Sequence, residues 1–138
     1  MQDSILLEQE RVIKQLHKRY KGGSFLPHKI YLVTGLDGCG SCLEYTVNFI
    51  EKNISNTKIM VIVSGQSKVQ LRNKFSLATR LSHNFVFDTL LIPLKSNIIE
   101  MSNPKVWYCK NGKLVKSESI DYRNAKTTFE RVERFLKE

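Results

Sequence analysis

Apolar residues return every three or four positions between Ser4 and Tyr20, with Ile5, Val12, Ile13, Leu16 and Tyr20 on one side. That period predicts an amphipathic helix. Glu8 and Glu10 come early and Lys18, Arg19 and Lys21 late, in line with the helix dipole, and Gly22-Gly23 supplies a stop. The pattern then changes. Lys29–Thr34 carries the continuous apolar run Ile30-Tyr31-Leu32-Val33, which predicts a strand, followed by the turn-rich Thr34-Gly35-Leu36-Asp37-Gly38. Leu43, Val47 and Ile50 next recur at helical spacing, predicting a helix that runs to about Asn53. Lys58–Ser64 has the short all-apolar character of a strand covered on both faces. Ser67–Leu81 predicts a helix with Leu71, Phe75 and Ala78 inward, and Asn84–Asp88 another strand. Alternation of this kind favours parallel pairing through right-handed crossovers.

The last third differs. Lys105–Lys110 and Lys113–Ser119 flank Asn111-Gly112, the dipeptide of a tight two-residue hairpin, so antiparallel strands follow the parallel ones. A closing helix is expected from about Asn124 to Lys137, with Ala125, Phe129, Val132 and Leu136 facing the sheet. The resulting α/β fold is a mixed sheet of four or five strands with helices on both faces. No repeat or linker divides the chain, so residues 1–138 are expected to form a single domain, with 1–28 as its N-terminal amphipathic helix and linker.

Composition changes this picture little. The 138 residues are 41% hydrophobic and 25% charged, ordinary for a globular chain that buries a core without disulfide staples. The net charge is +9, from 22 basic and 13 acidic residues. The cations are spread along the chain, so a solvated surface is expected rather than a nucleic-acid site. No stretch approaches the ~20 apolar residues of a membrane span. The start lacks a basic segment followed by an apolar core, which leaves a cytosolic protein or a mature form whose signal or lipid anchor is absent.

The chemistry is concentrated in Cys39-Gly40-Ser41-Cys42, at the passage from strand to helix. Two thiols at that spacing can close a small disulfide ring. Cys39, at the helix start, would feel unpaired amides and the positive dipole end, which favour a thiolate. Cys39 is therefore the expected attacking thiol and Cys42, one turn inside, the resolving thiol, with Gly40 and Ser41 setting how easily the ring closes. Inert buried thiols or a structural disulfide are the competing readings. Half a zinc site is another, but the other ligands would have to come from Cys109, His17, His28 or His83, and no second paired motif exists. No metal is expected.

The strand-turn-helix with its CxxC, the later Asn103-Pro104-Lys105-Val106-Trp107-Tyr108-Cys109-Lys110-Asn111-Gly112 and the closing amphipathic helix together resemble the thioredoxin superfamily over nearly the whole chain. The resemblance implies a thioredoxin-like sheet and a thiol–disulfide oxidoreductase acting on protein disulfides. It implies no cofactor beyond the Cys39–Cys42 disulfide. It also implies a cis Asn103–Pro104 peptide beside the dithiol, whose backbone would pair with an extended substrate, with Gly40 and Ser41 completing the substrate-binding residues. Three departures stand out: Gly38 replaces the usual aromatic residue, Ser41 the usual proline, and the first strand lacks a buried acid. The pattern is closer to the redoxin or TlpA-like branch, whose bacterial members often work in the cell envelope. Protein thiols or disulfides and a separate electron donor are the implied partners, with the protein a monomer and any membrane contact made through an anchor.

Other residues carry simpler expectations. Pro104 could merely start a strand. Cys109 is expected as a core filler, Trp107 as core packing, and Asp37 and Glu44 as solvated charges. The alternative function is a redox-inactive binding module on the same fold. A nucleic-acid- or membrane-associated domain exploiting the positive charge is a third.

Overall fold

The computed structural model describes residues 3–36, 40–100 and 103–138, with residues 40 and 41 as backbone only. Helix α1 (Ser4–Lys21) begins where the Asp3 carboxylate accepts the Leu6 N–H at 2.7 Å, and ends at Gly22, whose φ is 82°. Strand β1 (Ile30–Gly35) leads to α2 (Gly40–Asn53), then β2 (Ile59–Ser64). Two short helices, α3 (Lys68–Lys74) and α4 (Leu77–Arg80), precede β3 (Phe85–Asp88), and a single turn, α5 (Ile92–Lys95), follows it. Strands β4 (Lys105–Lys110) and β5 (Lys113–Ser119) form the hairpin, and α6 (Ala125–Lys137) closes the chain.

The sheet has five strands in the order β3-β2-β1-β4-β5. Its first three strands are parallel; β4 lies antiparallel to β1, and β5 antiparallel to β4. This is the mixed sheet with helices on both faces and a C-terminal hairpin and helix that the pattern predicted. All of β1 and β2 is buried, as strands covered on both sides must be.

The two faces hold separate cores. On one, Ile30, Leu32, Val61 and Val106 pack with Phe49 and Ile50 of α2 and Phe129 and Val132 of α6. The Phe49 and Phe129 rings stack at 4.6 Å. On the other, Tyr31, Val33, Ile62 and Trp107 pack with Val12, Ile13 and Leu16 of α1 and with Ile98 and Ile99 beyond α5.

Two details differ from the expectation. The buried stripe of α1 includes Leu6, Gln9 and Glu10, while Ile5 faces solvent. Its polar members are needed because the Trp107 indole donates to Gln9 Oε1 at 2.9 Å and the Leu114 N–H to Glu10 Oε1 at 2.8 Å. The segment 67–81 is not one helix. Phe75 is extended, and Ser76 restarts the chain as an N-cap whose Oγ accepts the Thr79 N–H at 3.2 Å. That restart buries Thr79 and leaves Ala78 exposed.

Candidate functional site

The end of β1 and the start of α2 define the candidate site. Cys42 falls in the first turn of α2, with its side chain in the α2-side core. It is fully buried and disulfide-bonded. The Thr46 hydroxyl donates to the Cys42 carbonyl at 2.6 Å, one turn further along. Asp37, Gly38 and Cys39 lie outside the described residues, as do the side-chain surroundings of Gly40 and Ser41. Cys42 is therefore as buried as its place one turn inside the helix led to expect, and the resolving role of Cys42 and the attacking role of Cys39 both stay expectations.

Strand pairing sets the other side of the site. Val33 pairs with Lys105 across β1 and β4, so Pro104 enters its strand at the end of the sheet where β1 leads toward α2. Every peptide bond among the described residues is trans, which corrects the expected cis Asn103–Pro104 bond. Trans is the favoured form of an X–Pro bond, and the bonding on either side accommodates it. The Asn103 N–H donates to the Glu100 carbonyl at 2.7 Å, and the Pro104 carbonyl accepts the Ile120 N–H at 2.9 Å from the end of the hairpin. Pro104 thus begins a strand at a position that needs no donor. Beside it, Asn97, Glu100, Asn103, Lys105 and Asp121 line a polar cleft of about 280 Å³. Burial lowers the Lys105 pKa, opposed by the nearby Glu100 carboxylate.

The remaining candidates settle into structural roles. Cys109 is a free, buried thiol whose Sγ lies 3.8 Å from the Leu26 carbonyl, and burial pushes its pKa up to about 11. A thiol so held is protonated at neutral pH and fits the role of core filler. Trp107 is fully buried core packing, and Glu44 is an exposed charge on α2. His28 Nδ1 lies 2.9 Å from the Thr57 carbonyl, and desolvation lowers its pKa despite that bond. No group of three or more metal-ligating side chains occurs among the described residues.

At this end of the sheet the sequence reading also missed a buried acid. Asp88 ends β3 in register with Ser64, which in turn pairs with Gly35, so it lies on the same rim of the sheet as the site. Fully buried, its carboxylate accepts the Tyr20 hydroxyl at 2.5 Å, the Ser64 hydroxyl at 3.1 Å, and the Leu90 and Ile92 amides at 3.1 and 2.8 Å. Its bond to Tyr20 ties it to α1, on the face opposite α2. The available signal was an acid closing an otherwise apolar strand.

No family model and no curated protein matches the chain. Solved structures similar to it include a Chlorobium tepidum protein named for thiol:disulfide interchange (DsbE), at 14% identity and a TM-score of 0.48 over 78% of each chain. A domain from Cytophaga hutchinsonii named for a thiol-disulfide isomerase is 19% identical, with a TM-score of 0.45 over 86% of this chain and 82% of that one. The C-terminal domain of an uncharacterized Bacteroides fragilis protein is 15% identical, with a TM-score of 0.45 over 82% and 81%. At such distances the chemistry has to be read from this chain's own residues.

Proposed function

We propose that the protein is a thiol–disulfide oxidoreductase that reduces or exchanges protein disulfides through Cys39 and Cys42, without a bound organic cofactor. The observation that carries this reading is a buried, disulfide-bonded Cys42 in the first turn of a helix fed by a central strand. The Pro104-led strand enters at the same end of the sheet. In the reducing direction the Cys39 thiolate attacks one sulfur of a substrate disulfide. The substrate S–S bond breaks, and the released thiolate takes a proton from water. Cys42 then loses its proton and attacks the Cys39 sulfur, displacing the second substrate thiol. Two electrons have passed to the substrate, and Cys39–Cys42 is left oxidised for a separate protein dithiol to reduce. Burial of Cys42 keeps its thiol from competing for the first attack. The backbone around Asn103 and Pro104, with the adjoining cleft, is the proposed seat for the substrate segment.

The test is a trapping variant. Cys42→Ser removes the resolving thiol, so mixed disulfides on Cys39 should accumulate on non-reducing gels and clear with reductant. Cys39→Ser should give few such complexes, and Cys109→Ser should match the wild type. If Cys42→Ser traps nothing from cytosolic or envelope extracts while non-covalent partners still bind, the protein is a binding module instead.

A further inference from the structure

The chain carries no Asp or Glu between Ser55 and Phe87, yet holds five cations there: Lys58, Lys68, Arg72, Lys74 and Arg80. Four of the five lie on α3 and α4, together with apolar residues that the fold leaves outside. Leu71 and Phe75 turn into the α2-side core, so Val69 projects to the opposite side of α3 and is 57% exposed. Arg72, three positions on from Val69, is its neighbour along the helix, and Lys68 and Lys74 flank the stripe, Lys68 four positions before Arg72. The Ser76 cap then sets α4 so that Thr79 is buried, while Leu77 and Leu81, four positions apart on one side, are 59% and 73% exposed. None of the four cations enters an ion pair among the described residues. Arg80 only donates its Nε–H to the Phe75 carbonyl at 3.1 Å.

We infer that this α3–α4 face docks on an anionic lipid bilayer, with Leu77, Leu81 and Val69 entering the interface and Lys68, Arg72, Lys74 and Arg80 meeting the phosphate headgroups. Charge complementarity selects the occupant. A cation-rich face whose own helices carry no acid attracts an anionic surface, and aliphatic side chains partition into acyl boundaries. Nucleic acid would also meet the charge, but single strands are held by aromatic stacking. The exposed aromatic residues Phe25, Tyr45 and Tyr122 lie on other elements. Two carboxylates border the face. Glu51 accepts the Ser76 N–H at 3.3 Å, and Glu44 shares with Lys74 a shallow groove floored by Leu43 and Val47. That groove makes the face contiguous with α2, the helix that carries Cys42, so docking would hold the thiol site close to the bilayer plane. The inference is independent of the redox reading.

Co-sedimentation of the full chain with vesicles of phosphatidylglycerol and phosphatidylcholine tests it. Binding should be at least about tenfold stronger than to phosphatidylcholine alone and should fall with added salt. Leu77→Ser with Leu81→Ser, at exposed positions that leave the core intact, should weaken binding several-fold, as should Arg72→Gln with Lys74→Gln. Lys110→Gln with Lys113→Gln, which makes the same charge change on the exposed hairpin, should leave it unchanged. Equal losses from both charge pairs would reduce the effect to net charge and overturn the assignment of this face. So would absence of vesicle binding, or salt-sensitive binding to a single-stranded RNA oligomer that depends on Arg72 and Lys74 without any vesicle binding.

Discussion

Glu10 shows how a single side chain can be misread from pattern alone. On a helical wheel it lies at the edge of the apolar stripe of α1, next to Lys14, yet it is buried and accepts the Leu114 amide of β5. Nothing local in the sequence announces this, because the partner is a backbone amide 104 residues away. Gln9 and the Trp107 indole have the same relation. Cys109 was legible, because a lone thiol inside an apolar strand is ordinarily filler. Cys42 was legible only in its burial. Removing an acceptor from a buried donor costs about 1–3 kcal/mol, more than a surface change would. Glu10→Ala should therefore destabilise the fold by about that amount in denaturant melts. Glu10→Gln should recover much of the loss, since an amide oxygen can accept the same N–H. Equal stability of the alanine variant and wild type would place the Leu114 contact outside the energetics of α1 docking.

At the level of elements, signals carried by the backbone were read more securely than signals carried by apolar spacing. Asn111-Gly112 predicted the hairpin, and both residues have positive φ, 55° and 78°, as a turn matched to the strand twist requires. The strand bounds of β4 and β5 coincide with the expected ones for that reason. Between Ser67 and Leu81 the helical spacing of Leu71, Phe75 and Ala78 suggested one helix. The cap at Ser76 overrode it, because its hydroxyl offers the Thr79 amide an alternative to continued helix. The cis bond expected at Pro104 failed similarly: the hydrogen bonds on either side are satisfied by the trans form. Gly112 is also sterically closed, since a Cβ there would come within 2.6 Å of the Phe25 ring. Gly112→Ala should cost about 1–2 kcal/mol, combining positive-φ strain with displacement of that ring. Phe25→Ala in the same chain should restore only the steric part, and full recovery would show that the turn conformation tolerates a side chain.

Across the whole molecule the α2 face is held by apolar packing, whereas the α1 face carries most of the groups that resist ionisation. Cys109 lies in the α1-side core, its pKa raised by burial from the ordinary 9.0 to about 11. Tyr20 joins the same side, raised from 10.0 to about 12 by desolvation and then by its hydrogen bond to Asp88. Tyr31 beneath α1 and Tyr108 on the other face are raised as well, both chiefly by burial. In each case the folded chain keeps a proton that the unfolded chain has given up. Stability is therefore fully present below the unfolded pKa and falls as pH rises through the folded one. The loss should begin near pH 9 with Cys109 and steepen above pH 10 as the tyrosines join. Thermal melts across this range should show a falling midpoint in the wild type. Cys109→Ser should flatten the segment between about 9 and 11, because a serine hydroxyl does not titrate there. Tyr20→Phe should flatten the segment between 10 and about 12, at the cost of lower stability at neutral pH from the lost Asp88 bond. An alkaline limb that neither substitution changes would mean that α1 releases its groups to solvent before the sheet unfolds.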